Sequence, residues 1–152
     1  MADVGSIKKV KLNLPFKYFG PDSTVSEIAD MMDLEDIGAV PVLDENFYLL
    51  GLVSERDIVR KLVKTGRDSD LVTAKDIMTK EIISIHKKTT IIEALKLMKE
   101  NNIRHLPIVD ETKKMINFIS LRDLMGNSKN KKINIALLVF ALVLLPAIII
   151  LK

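Results

Sequence analysis

The chain has 152 residues, with 23 Lys or Arg against 20 Asp or Glu, so its formal net charge at pH 7 is +3. This length suits one ordinary domain or two very small ones. The absence of cysteine excludes a disulfide scaffold, a thiol nucleophile and cysteine-based zinc or iron–sulfur sites. Both signs of charge are interspersed, which argues against nucleic acid as a partner because such proteins need a concentrated basic face.

The first predicted elements are an arm, a short strand and a helix. Residues 1–9 carry lysines and no apolar run, which predicts a flexible N-terminal arm and no cleaved signal peptide. A short strand is predicted near Lys17–Phe19. Thr24 and Glu27 have the spacing of a capping box, in which a hydroxyl and a carboxylate satisfy free amides at a helix start. The sequence therefore predicts a helix from residue 25.

Two short apolar runs follow this helix. They are rich in β-branched residues and too short for helices, which predicts the strands Ala39–Leu43 and Leu49–Val53. Ser54 then begins another helix, and the polar stretch over 65–75 predicts a linker. The series is βαββα-like.

The whole series recurs 66 residues later. Ser23–Val59 aligns with Thr89–Met125 without a gap, and ten of the 37 pairs are identical. Each copy is too small to bury a sufficient core alone, so the two copies are expected to pack about a pseudo-twofold axis. The second copy predicts strands near Ile82–Ile85, His105–Val109 and Met115–Ile119 and helices from Thr90 and Ser120.

An apolar run of 19 residues without a charge covers residues 133–151. As a helix it would be about 28 Å long, close to the roughly 30 Å hydrocarbon thickness of a bilayer. Three lysines over 129–132 precede it and only Lys152 follows, which places the N-terminal part in the cytoplasm by the positive-inside rule. The run predicts a transmembrane helix that is a single-pass C-terminal tail anchor. The alternative is a buried or oligomer-forming helix.

The repeated strand–turn–strand segments carry a family resemblance. Ala39–Asp44 followed by Gly51–Asp57, and Arg104–Asp110 followed by Asn117–Asp123, resemble two CBS domains, the motif named after cystathionine β-synthase. Asp76–Thr79 resembles the usual opening of the second copy. The resemblance implies a tandem CBS pair, or Bateman module, with domain 1 over 10–64 and domain 2 over 76–127. The predicted fold class is α+β (mixed α/β), with two pseudo-twofold-related βαββα units packed together and one C-terminal hydrophobic helix.

The resemblance also implies a ligand: AMP, ADP or ATP, or less favourably S-adenosylmethionine, in clefts between the two copies. In the family pattern G-h-h-[ST]-x-x-D the hydroxyl and the acid contact the ribose, and the matching residues are Ser54, Asp57, Ser120 and Asp123. The proposed base contacts are Ile83, Leu106 and Val40. The proposed phosphate contacts are Arg56, Arg104, His105 and Arg122. The same Ser–Asp spacing fits a capping box, so helix capping is the competing interpretation.

The two copies differ at potential ligand positions. Asn117 stands where the first copy has Gly51. Gly38 and Ala39 replace Arg104 and His105, which predicts that the first copy lacks a phosphate cation at those positions and that the two sites are not equivalent.

No nucleophile with a base, phosphate-cradling loop or metal cluster occurs in the sequence, which predicts a protein that is not an enzyme. The leading hypothesis is a membrane-tethered adenine-nucleotide sensor that forms a homodimer and signals to an unidentified protein partner. Competing hypotheses are a ligand-independent membrane-anchored adaptor and a detached regulatory subunit of an ion transporter.

Overall fold

Two β-hairpins and the helices around them form the part of the chain that the computed structural model describes, residues 2–126. In chain order the elements are α1 (Lys8–Lys11), α2 (Val25–Leu34), β1 (Ala39–Leu43), β2 (Leu49–Ser54), α3 (Glu55–Asp57), α4 (Ala74–Ile77), α5 (Ile91–Glu100), β3 (His105–Val109), β4 (Met115–Ser120) and α6 (Leu121–Gly126). We call α2, β1, β2 and α3 unit 1, and α5, β3, β4 and α6 unit 2. The predicted mixed α+β class is confirmed.

Capping boxes begin the main helix of each unit, as the sequence predicts. The Thr24 hydroxyl accepts from the backbone N–H of Glu27 at 3.2 Å, and the Glu27 carboxylate accepts from that of Thr24 at 2.8 Å. Thr90 and Glu93 repeat this arrangement at α5. Each helix then packs an apolar stripe against its own hairpin.

The two hairpins have the same register. Ala39 pairs with Ser54 in unit 1, and His105 pairs with Ser120 in unit 2. The strands predicted near Lys17–Phe19 and Ile82–Ile85 are each only a single parallel bridge in the structure. Phe19 pairs with Val42, and Ile85 pairs with Ile108. Only one residue bonds to the hairpin in each case before the chain turns away.

The segment that precedes each unit packs against the other unit. Val4, Ile7 and Val10 are almost fully buried in the core of unit 2, although they precede unit 1. Correspondingly, Val72, Ala74 and Ile77 complete the core of unit 1. This exchange makes each core depend on both halves of the chain.

The N-terminal residues are therefore part of the fold. The backbone N–H of Val4 donates to Thr89 O at 2.9 Å, and that of Ile91 donates to Ala2 O at 3.1 Å. A 3₁₀ turn over Val4–Ser6 leads into α1. These contacts correct the prediction of a flexible arm over residues 1–9.

The hairpins meet in a third apolar cluster between the units. Ala39 and Leu43 from unit 1 contact Met115 and Phe118 from unit 2, and all four are buried. The site described below lies beside this junction.

Across residues 2–126, no helix is both long enough and apolar enough to cross a bilayer. The predicted tail anchor over 133–151 lies outside the described residues, so it stays a prediction.

Candidate functional site

A cavity of about 500 Å³ lies between the two units, and we call it the Asp57 cleft. Its volume falls within the roughly 300–1,000 Å³ typical of small-molecule sites. Unit 1 contributes the ends of its strands and the helix after β2, whereas the other wall consists of segments 79–83 and 102–105. Six of the predicted site residues line it: Ser54, Arg56, Asp57, Ile83, Arg104 and His105.

The Asp57 carboxylate is held by four donors. Its Oδ2 accepts from the backbone N–H of Ser54 at 3.0 Å and from the Ser54 hydroxyl. Its Oδ1 accepts from the Thr79 hydroxyl at 2.9 Å and forms an ion pair with Lys61 Nζ at 2.7 Å. The Ser54 hydroxyl in turn accepts from the backbone N–H of Asp57, so the pair also caps α3.

These contacts keep the carboxylate ionised. Burial raises the pKa of Asp57, but the hydrogen bonds from Lys61, Ser54 and Thr79 outweigh it and hold the pKa below its usual value. A fixed, charged acceptor therefore lies at the wall of the cleft.

The sequence reasoning missed Lys61 and Thr79. Lys61 lies in a π-helical turn, Ile58–Leu62, that continues α3. The signal for Lys61 was its position four residues after Asp57, because side chains at that spacing meet on a helix. The signal for Thr79 was its place at the end of the family-like segment Asp76–Thr79.

A cation of unit 2, Arg104, lies in the cleft of unit 1. Arg104 and His105 line the Asp57 cleft together with Arg56, Arg60 and Lys61. The Asp57 cleft therefore has a cation from unit 2 although unit 1 has Gly38 and Ala39 at the matching positions. The Asp57 cleft is built from both copies, so the residues at these positions come from the other unit.

His105 is largely shielded from solvent. Its ring stacks on Phe118, with centroids 5.5 Å apart and planes at 14°. Burial lowers the pKa of His105 to about 4, because Lys9 and Arg104 also disfavour the charged form and the nearby Asp123 only partly compensates.

The lowered pKa of His105 predicts a loss of stability in mild acid. Between about pH 6.5 and pH 4 His105 is protonated in the unfolded chain but stays neutral in the folded chain. The free energy of unfolding therefore falls as pH falls. The loss from pH 7 to pH 5 is on the order of 1–2 kcal/mol. Urea denaturation of wild type and His105→Leu at both pH values measures it. An equal loss in the variant would show that His105 is not its source.

The second Ser–Asp pair forms a cap at α6 and lies outside the Asp57 cleft. Asp123 Oδ2 accepts from the backbone N–H of Ser120 at 2.7 Å and from its hydroxyl at 2.9 Å, and Lys9 Nζ lies 3.5 Å away. Arg122 forms an exposed ion pair with Asp36 at 2.9 Å. A ligand role for Ser120, Arg122 and Asp123 stays a prediction.

Two predicted base contacts are wrong. Val40 and Leu106 are fully buried in the cores of unit 1 and unit 2, respectively. They have no surface to offer a ligand. Ile83 lines the Asp57 cleft, where Leu52 and Ile103 supply further apolar surface.

Comparison with known proteins gives a family. The family model described as CBS domain matches residues 4–64 and 74–130. The chain belongs to the CBS-domain family. A curated relative, an uncharacterised protein from Methanopyrus kandleri, is 38% identical over 105 residues, which are 69% of this chain and 54% of that protein. The chain thus spans about half the length of the curated relatives that it matches.

Solved structures share the architecture of the CBS pair. A CBS-domain protein from Burkholderia ambifaria is 28% identical, with a TM-score of 0.79 over 86% of this chain and 96% of that one. CBSX2 in complex with AMP has a TM-score of 0.71, and the CBS domain pair of MJ0100 in complex with 5′-methylthioadenosine and S-adenosyl-L-methionine has 0.72. Both are 21% identical and cover 87% of this chain and 99% of theirs, so these two likenesses establish the fold alone.

The CBS repeat departs from symmetry at Gly51. A Cβ atom there would lie 2.9 Å from Cβ of Met78 and closer still to its Sδ, so glycine lets the segment after α4 approach β2. In unit 2 the equivalent Asn117 is fully buried, and its side chain donates to Leu14 O at 3.3 Å and accepts from the backbone N–H of Phe118 at 2.9 Å. At these matching positions, Met78 packs closely on Gly51 of β2, whereas Leu14 accepts a hydrogen bond from Asn117 of β4.

Gly51→Asn is expected to lower the free energy of unfolding by about 1–3 kcal/mol, because the new side chain overlaps Met78. Met78→Ala removes Sδ and Cγ, the two closest atoms, and leaves only Cβ, so it relieves most of the clash and the double variant should lose less than the sum of the two single variants. Urea denaturation of the four proteins measures the coupling. Strict additivity would contradict the close approach of Met78.

Proposed function

We propose that this CBS pair is a regulatory module that binds an adenine nucleotide in the Asp57 cleft. The observation that carries the proposal is that a fixed carboxylate, apolar surface and several cations line one cavity between the units. A ribose diol can donate to the carboxylate, and a phosphate can bind the guanidinium groups.

Each part of a nucleotide has a complementary group in this cleft. The base would lie against Leu52, Ile83 and Ile103, and the phosphate would face Arg56 and Arg104. Arginine suits phosphate because its planar guanidinium forms paired hydrogen bonds. The solved relatives support the same ligand class, since AMP, 5′-methylthioadenosine and S-adenosylmethionine all contain adenosine.

We further propose that the ligand signals by linking the two units. Both units contribute walls to the cleft. A bound nucleotide therefore stabilises the relative arrangement of the units in which both walls contact it. The proposal also includes signalling to a protein partner, homodimer formation and tethering of the pair to a membrane through residues 133–151. The run of 19 uncharged residues supports the tether.

A ligand-independent adaptor is the second candidate. It is favoured by the capping geometry, because both Ser–Asp pairs complete a helix cap without any ligand. In an adaptor these acids would stabilise helix starts and nothing more.

Thermal melts separate the two candidates. The full chain is melted alone and with AMP, ADP, ATP or S-adenosylmethionine. A ligand at 100 times its dissociation constant stabilises the folded state by about 2.7 kcal/mol, so one nucleotide should raise the melting temperature by several degrees. An unchanged melting temperature with all four ligands favours the adaptor.

A further inference from the structure

The Asp57 carboxylate has no acceptor position left for a ribose. A carboxylate has about four lone-pair positions, two on each oxygen. At Asp57 they are taken by the amide and hydroxyl of Ser54, the hydroxyl of Thr79 and the ammonium of Lys61. A ribose diol can therefore bind this carboxylate only if one of the four donors leaves.

Lys61 is the donor best able to leave. The Ser54 amide belongs to the backbone that starts α3, and the two hydroxyls are on short side chains, of which that of Ser54 also caps the helix. The Lys61 side chain is long and 41% exposed. Rotation about its flexible stem moves the ammonium group away from Asp57 without any change in the backbone.

The departing ammonium group needs a new partner. Besides Asp57, Lys61 Nζ donates to Ile77 O at 2.7 Å and to the Thr79 hydroxyl at 3.3 Å, so displacement costs an ion pair and hydrogen bonds. A phosphate on the incoming ligand restores a charge-assisted contact, whereas a neutral nucleoside restores none.

We infer that Lys61 makes the Asp57 cleft selective for adenosine ligands that carry a phosphate. In this arrangement Lys61 competes with the ribose for Asp57 and is released by the phosphate of the same ligand. The inference rests on the proposed function, because it assigns a ligand preference to the proposed site. The preference belongs to this cleft, since Asn127 stands at the matching position of the second copy.

The test compares AMP with adenosine by isothermal titration of the full chain. The proteins are wild type, Lys61→Met, Lys61→Gln and the control Lys64→Met, which removes an exposed lysine from the same helical segment. Wild type and Lys64→Met should bind AMP much more tightly than adenosine. Lys61→Met should bind adenosine about tenfold more tightly than wild type does, because the competitor for Asp57 is gone, and Lys61→Gln should gain less because its amide is still a neutral donor.

The adenosine affinity decides the inference. If Lys61 only touched the phosphate, its variants would bind AMP more weakly and adenosine unchanged, and that result overturns the competition. If wild type binds neither AMP nor adenosine, the proposed function fails and the inference fails with it. Thermal melts without ligand show whether each variant is folded.

Discussion

Asp57→Asn is expected to weaken the binding of AMP by about tenfold to a hundredfold, whereas Asp123→Asn should leave it nearly unchanged. Once Lys61 has left, the Asp57 carboxylate can accept a ribose hydroxyl proton, and such a hydrogen bond to a charged group is worth about 1.5–3 kcal/mol. An amide offers one oxygen, and its NH₂ group would face the amide and hydroxyl donors of Ser54. Isothermal titration of the full chain measures both affinities.

Asp123→Asn is a matched control because both acids complete a Ser–Asp cap at the start of a helix. Both variants should lose about 1 kcal/mol of stability from the weakened cap. Binding should separate them, since Asp123 lies outside the Asp57 cleft. Equal loss of affinity in the two variants would contradict the assignment of the ligand to that cleft.

Deletion of residues 2–10 lowers the free energy of unfolding by about 4 kcal/mol or more. The deletion removes Val4, Ile7 and Val10 from the core of unit 2, and full burial of such side chains contributes about 1.5–3 kcal/mol each. Urea denaturation of the full chain and of the deleted chain measures the difference.

Two point variants refine this measurement. Ile7→Ala should cost about 2 kcal/mol or more, because its side chain is only 4% exposed. Lys11→Ala should cost little, since Lys11 is exposed on the same segment. If the deletion left the denaturation midpoint unchanged, the prediction of a flexible arm over residues 1–9 would stand.

The elements that the sequence predicts well are those encoded locally. Thr24 with Glu27 defines a helix start by spacing alone, and the apolar runs of β1 and β3 define strands by length and composition. The burial of Ile7 and Val10 is not local. Lysines flank these residues, and their partners lie about a hundred positions later in unit 2, so no short window of sequence shows their role.

The site was predicted where a family pattern covers it and missed where the two copies meet. Ser54 and Asp57 follow from the pattern, and the structure places both at the wall of one cavity. The family resemblance implies clefts between the two copies, but the sequence does not show which cleft receives Arg104. Lys61 lies beyond the pattern, and its contact with Ile77 O depends on α4, which precedes unit 2 and packs against unit 1.

Photolabelling with 8-azido-AMP tests the central claim most directly. The full chain is irradiated with the probe, digested and analysed by mass spectrometry, with excess AMP as competitor. The account predicts competed labels on peptides that contain residues 79–83 or 102–105, which form one wall of the Asp57 cleft. Labels that AMP does not displace, or competed labels confined to peptides outside that cleft, would contradict it.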